Sequence, residues 1–140
     1  MLVYIIALAL GLTGGLRTFA PLFAIRWPYH DWSTIVAGVL LLGELVLDKV
    51  PGVPARTGIG PLIGRAIVSG YAAWALCAPL GAQPVVAIIL GAVGAVAGAF
   101  IGFRWRTLVA PRLRLPDIPA ALLEDVVAVG GALWIVLANR

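Results

Sequence analysis

Charge is what this sequence has least of: only 11 % of its residues are Asp, Glu, Lys or Arg, whereas 62 % are hydrophobic. A soluble domain carries about a quarter charged residues, so the shortage excludes water as the natural solvent and leaves the hydrocarbon of a bilayer. Cysteine and histidine occur once each. Cys77 cannot close a disulfide within the chain and, inside an apolar run, reads as a small helix- or lipid-facing hydrophobe. His30, in an aromatic loop, can build neither a His-rich metal centre nor a His-based catalytic triad. Phosphate loops and dinucleotide fingerprints are missing as well, because the densest glycines lie within a hydrophobic helix. No enzyme activity and no cofactor is expected. The first apolar run lacks a basic n-region and a small-residue cleavage site, so it should stay in the mature protein. No polar stretch is long enough for a soluble domain, and residues 1–140 are expected to form a single transmembrane helical domain.

What is present is a series of apolar runs near the ~20 residues that cross a bilayer. Five spans are expected in one small all-α bundle: Leu2 to Ala24, Ser33 to Lys49, Pro61 to Pro79, Val85 to Phe103 and Pro119 to Ala138. Gly11, Gly14, Gly15 and Pro21 loosen the first of them, and a kink or local unwinding near Gly14 follows. Asp31 and Ser33 are cap-type residues at the start of span 2, Pro51 and Pro54 stop it, and Pro79 to Pro84 forms a tight reversal. Arg104 to Asp117 reads as a basic loop. Gly94, Gly98 and Gly102 recur every fourth residue of span 4, a ridge suited to close helix packing or to a dimer axis in a homo-oligomer.

The net charge of +4 does not mark a nucleic-acid binder, because the basic residues fall in short loops rather than on one face interleaved with aromatics. They are topology signals. Lys49, Arg56, Arg65, Arg104, Arg106, Arg112 and Arg114 flank the loops after spans 2 and 4, which makes that side cytoplasmic and puts the N-terminus inside and the C-terminus outside. Arg17-Thr-Phe-Ala-Pro21 at the end of span 1 is echoed by Arg106-Thr-Leu-Val-Ala-Pro111 after span 4. With those spans running in opposite directions, the echo raises an inverted repeat of spans 1-2 and 4-5, the alternative being coincident helix-end chemistry.

The charges inside the spans are the ones hydrophobic surroundings cannot explain. Glu44 and Asp48, four residues apart, share a helix face near the cytoplasmic end of span 2. Arg65 lies about one turn into span 3, and Glu124 and Asp125 lie about five residues into span 5, so all five should meet at one depth. Buried carboxylates cost a few kcal/mol in lipid unless paired or hydrated. Such a level is either a binding or relay site open to the cytoplasm or a salt-bridge belt that pins helix ends. Arg17 is the other outlier. If the helix unwinds beside it, freed amides and the guanidinium suit an anion; if not, Arg17 snorkels to the outer interface.

Gly14-Gly15-Leu16-Arg17 with Pro21, Glu44 with Asp48-Lys49-Val50-Pro51 and Pro54-Ala55-Arg56-Thr57, Arg65 and Glu124-Asp125 together resemble the bacterial membrane family catalogued as domain of unknown function 4126, over nearly the whole chain. Ala55 stands where a serine is expected. The resemblance implies a small multi-span protein of the bacterial inner membrane and supplies no activity. A weaker similarity, Glu44 shortly before Asp48-Lys49, is to cation exchangers with a Glu-x-Gly-Asp-Lys-Thr motif, from which this sequence departs in spacing and at Val50.

The leading expectation is a small transport protein or channel for an ion or small charged solute. In it Glu44, Asp48 and Glu124 coordinate or relay cations or protons, while Arg17 and Arg65 balance charge or hold an anion. A lipid-headgroup binding or lipid-translocating protein is the second reading, and a structural or assembly subunit of the membrane, held in register by its charges, is the third.

Overall fold

The computed structural model describes residues 1–48 and 58–140. Every regular element among them is helical: α1 (Leu2–Leu16), α2 (Ala20–Arg26) with a 3-10 turn (Trp27–Tyr29), α3 (Trp32–Leu47), α4 (Ile59–Cys77), α5 (Pro84–Arg104), α6 (Ala110–Arg112) and α7 (Asp117–Ala138). A π turn, Trp105–Val109, joins α5 to α6 and makes one continuous helix from Pro84 to Arg112. That helix, α4 and α7 are long and apolar enough to cross a membrane, while α1 and α3 are shorter apolar helices.

Residue size is distributed in the manner of a membrane bundle. The interior is built from Ala7, Ala72, Ala73, Ala87, Ala95, Ala128 and Ala132 and their neighbours, whereas Ile35, Val39, Ile67, Phe100, Val126 and Trp134 face outward. Small residues inside let backbones approach, and large apolar ones outside meet lipid. The chain is a helical membrane protein by this pattern and by its long apolar helices.

The glycine ridge of α5 packs against α1 within the chain. A Cβ on Gly94 would stand 2.4 Å from the Leu8 carbonyl oxygen, and one on Gly98 would stand 2.2 Å from that of Leu12. At Gly102 it would meet Leu16 and the Glu124 carboxylate. Leu8, Leu12 and Leu16 thus climb in step with Gly94, Gly98 and Gly102, so α1 and α5 run parallel. α4 packs against both and runs the opposite way, with its end Cys77 at Val3 and its Arg65 at Gly15.

Span 1 is not the single crossing expected from its hydropathy. The helix holds through Gly14 and Gly15 and ends at Leu16, and Arg17 is extended at φ −139°, ψ 117°. Pro21 supplies the reason: in a continued helix its ring would clash with the Arg17 carbonyl and it has no N–H to donate. After the break α2 turns back. Its Arg26 carbonyl accepts from Thr34, Phe23 lies beside Gly38, and Thr18 and Phe19 meet Glu44, so α3 runs antiparallel to α2. α1 and α2 form a helical hairpin whose tip, residues 17–19, lies within the bundle, with Arg17 buried and Thr18 and Phe19 partly exposed.

Two expectations are corrected as a consequence. Residues 27–30, the turn at 78–83 and both chain ends gather at one end of the bundle: Tyr4 meets Gln83, Arg26 meets Tyr71, and Arg140 lies over Tyr29. First and last residues therefore share an end instead of lying on opposite sides. An inverted repeat needs spans 1 and 4 antiparallel, and α1 and α5 are parallel. The stretch expected as the basic loop Arg104 to Asp117 is helical as far as Arg112, carried past Pro111 by the π turn. The reversal at 78–83 holds as expected, with Gly81 at φ 82°, which favours glycine.

Asp31 caps α3, its carboxylate accepting from the Thr34 amide at 3.1 Å and from the Ser33 hydroxyl. The Ser33 hydroxyl first, then the Thr34 amide, hold this exposed carboxyl below its ordinary range. Because the folded value is the lower one, the cap contributes stability at neutral pH and loses it as the carboxyl protonates below about pH 4. Protection of the Thr34 amide from hydrogen exchange should fall through that acid window, and Asp31→Asn, which keeps an acceptor but does not titrate, should remove the pH dependence.

Candidate functional site

The hairpin tip leaves two helix ends inside the bundle, the C-terminus of α1 and the N-terminus of α2, each with unsatisfied backbone groups. Other helices answer them with charge of the appropriate sign. Arg65 of α4 donates through Nη1 to the Gly15 carbonyl at 2.6 Å, a cation at the negative end of α1. Glu44 of α3 accepts from the amides of Thr18 at 2.8 Å and Phe19 at 3.1 Å, and from the Thr18 hydroxyl at 2.7 Å, an anion at the positive end of α2. Arg65 and Glu44 stand 3.9 Å apart. Irregular backbone at this depth is tolerable because protein polar groups surround it.

Arg17 occupies the tip itself and is completely buried. Its guanidinium reaches Asp48 at 2.8 Å and binds Asp125 through Nε and Nη2. Asp48 is shared: Arg106 approaches the same oxygen at 3.4 Å and extends to Glu124 at 3.3 Å. A chain of alternating charge, Asp125, Arg17, Asp48, Arg106, Glu124, therefore links α7, the hairpin tip, the end of α3, the π turn and α7 again. Gly102 makes room for it, since a Cβ there would lie 2.8 Å from Glu124 Oε1.

Depth can be counted along the helices. Arg65 is six residues inside the start of α4 and Asp125 eight inside that of α7, which puts the cluster ~9–12 Å from those helix ends. A groove of about 510 Å³ reaches its Glu44–Asp48–Arg65 side between α3 and α4, with apolar walls from Phe19, Val39, Leu40, Leu47 and Pro61. Val39, Leu40 and Leu47 are exposed, so the groove faces sideways out of the bundle. An apolar cavity of about 310 Å³ lies against Glu124 between α5 and α7.

Glu44, Asp48, Arg65, Glu124 and Asp125 thus come together as depth counting predicts. Arg17 departs from both of its expectations: it neither snorkels outward nor waits beside an unfilled anion site. The amides freed one turn after Gly14 do bind an anion, which is the chain's own Glu44. Sequence reasoning gives Arg106 a topological role alone; its echo of Arg17-Thr18 is the available signal for more, and the two arginines of that echo converge on one Asp48 oxygen. Lys49 and Arg56, and with them most of the Asp-Lys-x-Pro-x-x-Pro-x-Arg segment, lie outside the described residues. Among the described residues no group of three or more His, Cys, Asp or Glu could hold a metal ion. Direct chelation of a cation by Glu44, Asp48 and Glu124 has no support in this geometry, because each carboxylate faces an arginine or a backbone amide. No family model matches the chain, and no curated protein and no solved structure is found similar to it.

Proposed function

We propose that this chain is a small membrane transport protein for an ion or small charged solute, with the charge chain at the hairpin tip as its binding and gating level. In this reading α3, α4, α5 with α6, and α7 cross the membrane, and α1–α2 is a re-entrant hairpin that enters and leaves on one side. Arg65, Arg104, Arg106, Arg112 and Arg114 lie toward the end that the tip faces, against Arg26 and Arg140 at the other. By the positive-inside rule the tip end is cytoplasmic and both chain ends are outside. The resemblance to the family of domain of unknown function 4126 would add a bacterial inner membrane.

One observation carries the reading: unwound backbone within the bundle, closed by ionisable side chains from three further helices. Structures that only need to span lipid have no use for such an arrangement, whereas broken helices at membrane depth serve transporters as ion and anion sites. Since arginines interleave the carboxylates, a solute works by exchange: an anion displaces Asp48 or Asp125 from Arg17, or a proton neutralises a carboxylate and releases its arginine. The sideways groove favours a second reading, in which an amphiphile enters from the lipid with its head at Glu44, Asp48 and Arg65 and its chains along Val39, Leu40 and Leu47.

Proteoliposomes separate these readings. A trapped pH dye follows protons, a chloride-quenched dye follows a small anion, and dithionite reduction of a fluorescent phospholipid follows lipid exchange. Wild-type protein is expected to raise the rate of one of the first two, and Glu44→Gln, which keeps an acceptor for the Thr18 amide, should return it to the protein-free rate. Acceleration of the lipid signal alone selects the second reading. Liposomes as tight as protein-free ones in all three assays leave the structural belt standing and end the transport proposal.

A further inference from the structure

At the end of the bundle away from the charge chain lies a cavity of about 650 Å³, and no part of the proposed transport level uses it. α2 with its 3-10 turn, α4 and the residues after α7 line it through Arg26, Tyr29, Tyr71, Trp74, Leu76 and Arg140, and it is partly open to the outside. Both of its charged residues are arginines. Arg26 donates to the Tyr71 hydroxyl at 3.0 Å, and the Arg140 guanidinium sits 4.5 Å over the Tyr29 ring. Neither forms an ion pair with a carboxylate among the described residues, in contrast to Arg17, Arg65 and Arg106 at the other level. The cavity therefore presents two guanidinium groups and no Asp or Glu side chain in its lining, and draws anions.

We infer that this cavity is a binding site for a phosphate-bearing organic anion, held by Arg26 and Arg140 and floored by Tyr71, Trp74 and Leu76. Guanidinium groups suit phosphate because their planar donors match two of its oxygens at once, and phenol and indole rings keep to the depth of lipid headgroups. A space of this volume is in the range of organic ligands and larger than an inorganic anion fills. The apolar lining residues Leu76, Pro79 and Leu80 take the organic part. α2 separates the site from the charge chain by ~10 Å, with Arg26 at one end and the Glu44-capped amides at the other. The site does not depend on the transport reading, and failure of one leaves the other intact.

The same head chemistry is offered by an anionic phospholipid and by a soluble phosphate ester, so both are titrated into the purified full chain: phosphatidylglycerol, sn-glycerol 3-phosphate and, as the control whose zwitterionic head has a phosphate but no net charge, phosphatidylcholine. Quenching or shift of tryptophan fluorescence reports binding, and Trp74→Phe identifies the share from the cavity. Arg26→Gln and Arg140→Gln are each expected to weaken phosphatidylglycerol or glycerol phosphate about tenfold or more, additively when combined, with phosphatidylcholine weak throughout. Binding of phosphatidylglycerol alone identifies a lipid as the source, and binding of glycerol phosphate identifies a soluble one. Both side chains lie at the periphery, and unchanged melting temperatures of the single variants show that the bundle persists. Native mass spectrometry of Trp74→Phe should still retain the ligand. Equal affinity in wild type and the double variant, or no saturable binding of either phosphate compound, overturns the inference.

Discussion

Arg17→Gln is expected to be the most destabilising single exchange in the charge chain. The guanidinium is wholly buried and separates Asp48 from Asp125. Removing it brings two carboxylates together without the cation between them, at a depth where breaking a buried pair costs ~3–5 kcal/mol. In detergent the melting temperature should fall by on the order of 10 °C. Arg17→Gln combined with Asp125→Asn should recover part of the loss, because the second change removes one of the two carboxylates that Arg17 holds apart, and the non-additivity measures the coupling. A variant that melts with the wild type would mean that Arg17 does not sit between these carboxylates.

Gly98→Ala should destabilise for a purely steric reason. The added methyl would stand 2.2 Å from the Leu12 carbonyl oxygen and 3.0 Å from the Gly15 Cα, so the backbone of α1 must move. Overpacking usually costs ~1–3 kcal/mol, and a clash with backbone belongs at or above the upper end because no rotamer relieves it. The displacement also opens the hairpin tip, since Gly15 carries the carbonyl that Arg65 holds. Gly43→Ala is the matched comparison: nothing lies within 4 Å of its added methyl, so the gain in helix propensity, ~0.5–1 kcal/mol, should stabilise. Opposite shifts in melting temperature for one chemical change are the expected result. Equal shifts would argue against the parallel packing of α1 on α5.

The charge level was legible from depth counting because helix rise is constant: Glu44, Arg65, Glu124 and Asp125 follow from distance to a helix end. The same arithmetic failed for Arg17 and Arg106. For Arg17 the count leaves two outcomes, unwinding beside it or snorkelling to the outer interface, and neither includes the reversal at residue 17 that brings it to the tip. Arg106 falls in an expected loop, whereas the π turn carries the helix onward and delivers it to Asp48. In both cases a proline four or five residues ahead, Pro21 and Pro111, disturbs the ladder. Proline in a sequence announces a disturbance and not its outcome, which can be a kink, a π turn or a full reversal.

Composition and periodicity by themselves determined the solvent, the helical class, the approximate ends of α3, α4, α5 and α7, the Asp31 cap and the reversal at 78–83, because each depends on residues close in sequence. Only the tertiary structure decided that α1 and α2 fold back as a hairpin, that the chain ends share one side, and that the ridge of Gly94, Gly98 and Gly102 is filled by α1. Those outcomes depend on partners brought from far along the chain. A break at Arg17 is tolerable in an apolar interior only when Glu44, Asp48, Arg65 and Asp125 arrive from three other helices to satisfy it, and no local property of the first span announces their arrival.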